Sequence, residues 1–169
     1  MFSEPIASKN LTELLNVNCL HENVLLYGRY RKTDRAVSQT PWSVEGGEGI
    51  VHTSVEAEIG KCVKQYFLPS TDEMYLHAAG REDIDVRMLG RGRPFVFEFV
   101  NPRRAYSCYE NVDKIKVESP YVSCTDFKIV DKSFFDRLKE IEGTKAKSYA
   151  AVICSKVPFT QSDADILNK

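Results

Sequence analysis

The sequence lacks the features of several common protein classes. It has no apolar run near the roughly 20 residues that a membrane-spanning helix needs, and its first residues lack the compact apolar stretch of a secretory signal. Its five cysteines are an odd number without a CxxC pair, and its three histidines are scattered, so neither a disulfide framework nor a structural zinc site is expected. The formal net charge of −1 excludes a protein that coats nucleic acid with a uniformly basic surface. We expect an intracellular protein, nuclear or cytoplasmic, without a membrane partner.

The composition that remains is that of a globular domain. The chain has 169 residues, of which 43% are hydrophobic and 28% are charged, enough to bury a core. Residues 1–22 read as a polar lead-in segment and residues 23–169 as one domain. Periodicity predicts strands at 23–30, 74–79, 94–100, 121–130 and 148–154, and helices at 53–67, at 133–141 and from about residue 160. This order is typical of an α+β fold.

Two of these elements carry a clear pattern. In the first helix, a capping box formed by Thr53 and Glu56 precedes a regular apolar stripe. In the strand at 94–100, Phe95, Phe97 and Phe99 alternate with the opposite face. Both patterns predict elements with one face buried in the core.

Charged residues concentrate between residues 80 and 102, GREDIDVRMLGRGRPFVFEFVNP. The cations are all arginines, whose planar guanidinium groups bind phosphates and carboxylates through paired hydrogen bonds. Extended geometry predicts that Asp83, Asp85 and Arg87 point the same way. Two carboxylates so close repel each other unless arginines or a function hold them there.

The residues alone leave three explanations of this segment open. One is a salt-bridged surface loop, because most charge clusters are structural or solvated. Another is a metal-dependent transferase in which Asp83 and Asp85 form a DxD clamp, although hard cations take several oxygen ligands. The third is a single catalytic aspartate in an RNA-binding cleft.

The segment resembles the signature of the tRNA pseudouridine synthases. GREDIDVR, residues 80–87, is similar to the G-R-x-D motif of that broad fold. The longer string through Arg104 resembles one branch, the Pus-ten family, which modifies adjacent uridines in the TΨC loop. Two more strings are similar to that branch, GRYRKTDRAVSQTPW at 28–42 and KSYAAVIC at 147–154. The three motifs occur in the family's order.

The resemblance implies a pseudouridine-synthase-like fold with a mixed, mainly antiparallel sheet and flanking helices. It implies that residues 23–169 are a partial catalytic domain, because nothing here matches the family's further motif with its basic residue. Asp83 matches the catalytic aspartate, and Asp85 is the second candidate. Tyr149 matches the tyrosine that stacks on the target base, the alternative being a half-buried strand residue. Trp42 is expected in the core rather than against a base.

The arginines are expected to bind RNA. Arg81 matches a residue that helps to hold the flipped nucleotide, and Arg87, Arg91 and Arg93 are expected to contact phosphates. A second basic patch is expected from residues 29–35, which carry a net charge of +3.

The implied activity is the isomerisation of uridine to pseudouridine at position 54, position 55 or both in the TΨC loop of tRNA. The reaction breaks the N-glycosidic bond, rotates the uracil and rejoins it through carbon. Because it involves no redox change or net hydrolysis, we expect no cofactor and no metal. The expected partners are the TΨC arm and a second half of the catalytic domain. The alternative function is a catalytically incomplete RNA-binding remnant of such a synthase.

Overall fold

The computed structural model describes residues 20–42, 51–67, 73–104, 109–110, 112–142 and 146–168. In this part of the chain, four strands form a sheet in the order β4-β5-β1-β6, with every pair antiparallel, and two short strands, β2 and β3, pair in parallel. The strands are β1 (Val24–Lys32), β2 (Val37–Ser38), β3 (Thr53–Ser54), β4 (Met74–Ala78), β5 (Met88–Phe99) and β6 (Val122–Val130). The helices are α1 (Val55–Phe67), α2 (Lys132–Glu142) and α3 (Gln161–Leu167). The predicted α+β class with a mainly antiparallel sheet is confirmed.

One face of the sheet packs against α1. The alternation predicted for β5 is confirmed, since Phe95, Phe97 and Phe99 are fully buried on this face. Phe67 of α1 stacks on Phe99 with ring centroids 3.9 Å apart. Each such side chain contributes about 1.5–3 kcal/mol on burial, so this layer is the main hydrophobic core.

The start of α1 differs from the predicted capping box. The Ser54 hydroxyl accepts a hydrogen bond from the Ala57 N–H at 3.1 Å and is the N-cap, one residue after Thr53. Glu56 instead accepts a hydrogen bond from the Leu76 N–H at 3.1 Å, on strand β4. Glu56 of α1 therefore satisfies the Leu76 N–H of β4. Burial raises the pKa of the Glu56 carboxyl.

Helix α2 covers part of the opposite face. Leu138 is buried with Leu25 and Val96, and Phe134 meets Tyr27 edge-on at 5.1 Å between centroids. Arg31 lies further along β1 on the same face as Tyr27, and its side chain is exposed. This end of the sheet face is open to solvent.

Three predictions about local structure are wrong. Residues 148–154 form no strand and are exposed, because strand geometry needs a neighbouring backbone and none of the described residues pairs with them. Trp42 is 55% exposed and is not a core residue. Strand β5 begins at Met88 rather than at 94, because its glycines allow a bulge instead of ending the strand. Residues 1–19 of the predicted lead-in segment, residues 1–22, lie outside the described residues. No helix in the described part is long and apolar enough to cross a membrane.

The bulge in β5 depends on its glycines. Gly90 and Gly92 have φ angles of +62° and +73°, and a Cβ on Gly92 would lie 2.6 Å from the Tyr30 carbonyl oxygen. We expect Gly92→Ala to lower the free energy of unfolding by more than about 2 kcal/mol, because strain and a backbone clash add together. Gly90→Ala is the matched control, since its Cβ would meet nothing within 4 Å. Gly90→Ala should lower the free energy of unfolding by about 1 kcal/mol, the cost of holding alanine at a positive φ angle. Urea denaturation of both variants tests the difference, and equal losses would contradict it.

Candidate catalytic and RNA-binding site

The segment between β4 and β5 is a turn rather than the predicted extended chain. The Val86 N–H donates to the Asp83 carbonyl at 3.2 Å, which closes the turn. Four of the nine residues of this loop, 79–87, are exposed, while Glu82 is buried with 7% of its surface exposed. The exposed charged residues of the loop are Arg81, Asp83, Asp85 and Arg87. A buried carboxylate therefore directly precedes the exposed Asp83.

Two side chains on paired strands hold the Glu82 carboxylate. The Tyr30 hydroxyl of β1 donates to its two oxygens at 2.8 and 3.0 Å. Arg93 of β5 donates from Nε at 2.8 Å and forms an ion pair that is almost fully buried. Burial, and secondarily the charge of Glu82, raise the pKa of the Tyr30 phenol above its ordinary value, so this group stays protonated and donates.

The same side chains hold the start of the loop through its backbone. Arg93 Nη1 donates to the Ala79 carbonyl at 2.7 Å. Gln39, just after β2, donates from Nε2 to the Gly80 carbonyl at 2.9 Å and to the Tyr30 hydroxyl oxygen at 2.8 Å. Three separate parts of the chain thus converge beneath residues 79–82.

Lys32 holds the turn itself. This side chain has no exposed surface, and its ammonium donates to the carbonyls of Asp83 at 3.1 Å and Ile84 at 3.0 Å. Its third contact is the Val37 carbonyl at 2.9 Å, so each of the three N–H groups has an acceptor. Burial lowers the pKa of Lys32, an effect that nearby carboxylates, Glu82 first among them, partly oppose.

A second charged side chain of β1 holds the bulge in β5. Arg29 donates to the carbonyls of Arg91 at 2.7 Å and Gly92 at 2.8 Å. In the register of the two strands, Tyr30 pairs with Arg93 and Lys32 with Met88, so Arg31 alone faces the four bulge residues 89–92. The Arg91 side chain on this bulge is exposed.

Four of the six predicted site residues are exposed within one stretch of chain, residues 81–91. Arg81, Asp83 and Arg87 are exposed on the loop, and Arg91 is exposed on the adjoining bulge. Among the described residues, none forms a hydrogen bond or ion pair with the Asp83 carboxylate. Arg93 differs from these exposed arginines, because its guanidinium donates to the Glu82 carboxylate and to the Ala79 carbonyl inside the protein.

Tyr149 is not packed beside this loop. It lies in an irregular segment, with 76% of its surface exposed, and no hydrogen bond or ring contact joins it to another described residue. Its predicted stacking role stays a prediction.

The cations of the basic patch expected at residues 29–35 are not all exposed. Lys32 is buried and Arg29 is half-buried against the bulge, whereas Arg31 and Arg35 are exposed. The functional expectation overlooked Glu82, Tyr30 and Gln39, which support the loop. The alternation of side chains along β1 could have indicated part of this support. Lys32 falls on the same inward face as Val24 and Leu26, where a buried cation needs hydrogen-bond acceptors.

The geometry gives no support to a metal clamp. In the described part of the chain, no three His, Cys, Asp or Glu side chains are placed to hold a metal ion. Asp83 and Asp85 therefore have no third acidic ligand among these residues.

Comparison with known proteins agrees with the motifs. The family described as "Pus10, C-terminal" matches residues 25–169. A human protein named tRNA pseudouridine synthase Pus10 is 33% identical over 168 residues, which is 97% of this chain and 31% of that protein. A Thermoplasma acidophilum protein of the same name is 36% identical over 152 residues, covering 89% of this chain and 37% of the relative. A third, from Ignisphaera aggregans, is 36% identical over 137 residues, covering 78% and 30%. The chain spans about a third of the length of these relatives. The match extends over both the loop and the strands that support it, and the chain belongs to the Pus10 C-terminal family.

Proposed function

We propose that this chain provides the catalytic aspartate of a tRNA pseudouridine synthase, an isomerase that acts on uridine 54, uridine 55 or both in the TΨC loop. Asp83 is the proposed nucleophile. The proposed place of action is inside the cell, in the nucleus or cytoplasm, where tRNA is processed. The proposal rests on the family and on the names of its relatives.

The observation that carries the proposal is the contrast between Asp83 and its surroundings. Its carboxylate is exposed and unpaired among the described residues, yet its backbone carbonyl accepts a hydrogen bond from the fully buried Lys32. A charged surface loop without a function needs no such rigid support. Preorganised support of this kind is what a catalytic carboxylate needs in order to be aimed at a substrate.

The chemistry suits a single carboxylate. Attack by Asp83 on the sugar or on the uracil ring would assist cleavage of the bond between C1′ and N1. After the uracil rotates, C5 bonds to C1′, the bond to Asp83 breaks and restores the free carboxylate, C5 loses its proton and N1 gains one. The product therefore has the composition of the substrate, and no oxidant or reductant takes part. The target uridine must leave the base stack, at a cost of a few kcal/mol.

The exposed arginines fit the backbone of such an RNA. Arg81 and Arg87 are exposed on the loop that carries Asp83, Arg91 is exposed on the bulge that follows it, and Arg31 is exposed on β1. Their guanidinium groups are suited to bidentate contacts with phosphates. We propose that they orient the TΨC arm over the loop.

Two parts of the proposal concern the rest of the site. Tyr149 is proposed to stack on the flipped uracil, an interaction worth about 1–3 kcal/mol per base. A second half of the catalytic domain is proposed to complete the cleft. Its support is a run of exposed apolar side chains, which is uncommon on a surface that faces only water. They are Tyr149, Val152, Ile153, Val157, Phe159, Ile166 and Leu167.

The arginines differ in a way that salt dependence can test. Arg91→Gln should reduce the slope of log K for tRNA against log salt by about 0.7–0.9, because one phosphate contact is lost. Arg93→Gln should leave the slope unchanged and lower the melting temperature, because this side chain serves the Glu82 pair. Filter binding over a salt series measures both slopes. An unchanged slope for Arg91→Gln, or a reduced one for Arg93→Gln, would contradict this division.

The proposed target is tested with tRNA variants. The complete protein that contains these residues is incubated with unmodified tRNA, and with transcripts in which each TΨC-loop uridine is replaced by cytidine. Nucleoside analysis should find pseudouridine only when the target uridine is present. If tRNA binds and no pseudouridine forms, the remaining function is RNA binding without catalysis.

A further inference from the structure

We propose that Glu82 is a positioning residue, whose buried carboxylate, held between Tyr30 and Arg93, sets the orientation of the Asp83 side chain. This inference rests on the proposed function of Asp83 and deepens it. Nothing in the motif itself requires an acid at this position, since the third place of G-R-x-D is variable in the pattern.

Glu82 and its neighbour Asp83 face in different directions. Glu82 is buried and Asp83 is exposed. The two side chains therefore leave the backbone on different sides, and fixing the Glu82 carboxylate inside the protein constrains the direction of the exposed Asp83 carboxylate. The Tyr30 and Arg93 contacts, at 2.8 Å each to the same oxygen of Glu82, fix that lower carboxylate in two directions.

Arg93 keeps only 12% of its side chain exposed and pairs with Glu82, whose side chain is 2% exposed. A buried ion pair that loses one partner leaves the other charge without compensation. Glu82→Gln would therefore leave the Arg93 charge without its buried partner. Arg93 also donates to the Ala79 carbonyl at the start of the loop, so its displacement would disturb the loop.

The residues that support Glu82 come from distant parts of the chain. Tyr30 and Glu82 are 52 residues apart, and Gln39 bridges Tyr30 to Gly80. The family's first motif thus contacts its second motif through this network. Its members Tyr30 and Gln39 act on the loop from below rather than on RNA.

The test compares two buried glutamates in the complete protein. Glu82→Gln is expected to lower the single-turnover rate constant on tRNA by about 10- to 100-fold, because small displacements of a reacting group have effects of this size. The dissociation constant for tRNA should stay within about twofold, since Glu82 does not face the RNA. Tyr30→Phe removes one hydroxyl and should lower the rate by about 3- to 10-fold.

The matched control is Glu58→Gln. Glu58 is also buried, and it accepts hydrogen bonds from Thr53, Lys61 and Ser119 on the α1 side of the molecule. Glu58→Gln should lower the melting temperature by about as much as Glu82→Gln does. Below its melting transition, Glu58→Gln should keep the wild-type rate constant. A merely structural role for Glu82 predicts that the two variants behave alike.

The outcomes separate this inference from the proposed function. If the wild-type protein makes no pseudouridine, the proposed function fails. If the wild type is active and Asp83→Asn is not, while Glu82→Gln keeps the wild-type rate, the function stands and the positioning role is wrong. If Glu82→Gln does not fold, Tyr30→Phe decides, and a wild-type rate in that variant overturns the inference.

Discussion

Replacing Asp83 with asparagine should abolish pseudouridine formation, with a loss of about 10⁴-fold or more, as expected when a nucleophile is removed. The amide has nearly the same shape and cannot attack carbon as a carboxylate does. Affinity for tRNA should change by less than about twofold, because the surrounding arginines provide the binding energy. Nucleoside analysis of digested tRNA and filter binding measure the two quantities on one preparation.

Asp85→Asn is the matched control for this experiment. Asp85 is exposed on the same turn, two residues further along, so it shares the local charge and solvent exposure of Asp83. It should retain measurable activity. Activity that survives in Asp83→Asn and disappears in Asp85→Asn would show that the second candidate is the catalytic residue.

Replacing Lys32 with methionine should lower the free energy of unfolding by about 3 kcal/mol or more. Methionine fills much of the same space but donates to none of the carbonyls of Val37, Asp83 and Ile84. Each buried acceptor left without a partner costs about 1–3 kcal/mol. Urea denaturation of the 169-residue chain measures the change.

Lys128→Met is the control, because Lys128 is exposed on β6 and makes no hydrogen bond or ion pair with another described residue. It should change stability by less than about 0.5 kcal/mol. A loss for Lys32→Met as small as that of the control would mean that the loop does not depend on the ammonium group.

The same variant has a pH signature. Burial places the pKa of Lys32 below its ordinary value of 10.5 in the folded chain. Between the folded pKa and 10.5 the unfolded chain therefore binds more protons, and stability rises with pH in that window. Subtracting the profile of Lys32→Met from that of the wild type should isolate this rise, and no difference in slope would contradict the buried cation.

Much of the fold follows from local pattern, and the support of the site follows only in part. The period-2 alternation around Phe95, Phe97 and Phe99 was enough to predict a buried strand face. The same parity places Arg93 beside Phe95 on that face and Lys32 beside Tyr30, which indicates that both cations are inward. Their acceptors could not be predicted, because Glu82 and the loop carbonyls lie 11 to 52 residues away along the chain.

The failures have a common physical cause. The apolar run at 148–154 has the composition of a buried strand, but pairing requires a neighbour that sequence periodicity does not identify. The glycines at 90 and 92 are turn signals that instead make a bulge, because Arg29 holds the carbonyls of Arg91 and Gly92. Both depend on tertiary contacts rather than on local preference.

The most direct test of the account is tritium release from tRNA that carries tritium at C5 of its TΨC-loop uridines. Pseudouridine formation replaces the C5 hydrogen with the bond to C1′, so each turnover frees one label into water. We expect release by the wild-type protein and by Asp85→Asn, and none by Asp83→Asn at equal tRNA occupancy. Release that persists in Asp83→Asn, or that is absent from the wild type while tRNA stays bound, would contradict the assignment of Asp83 as the catalytic group.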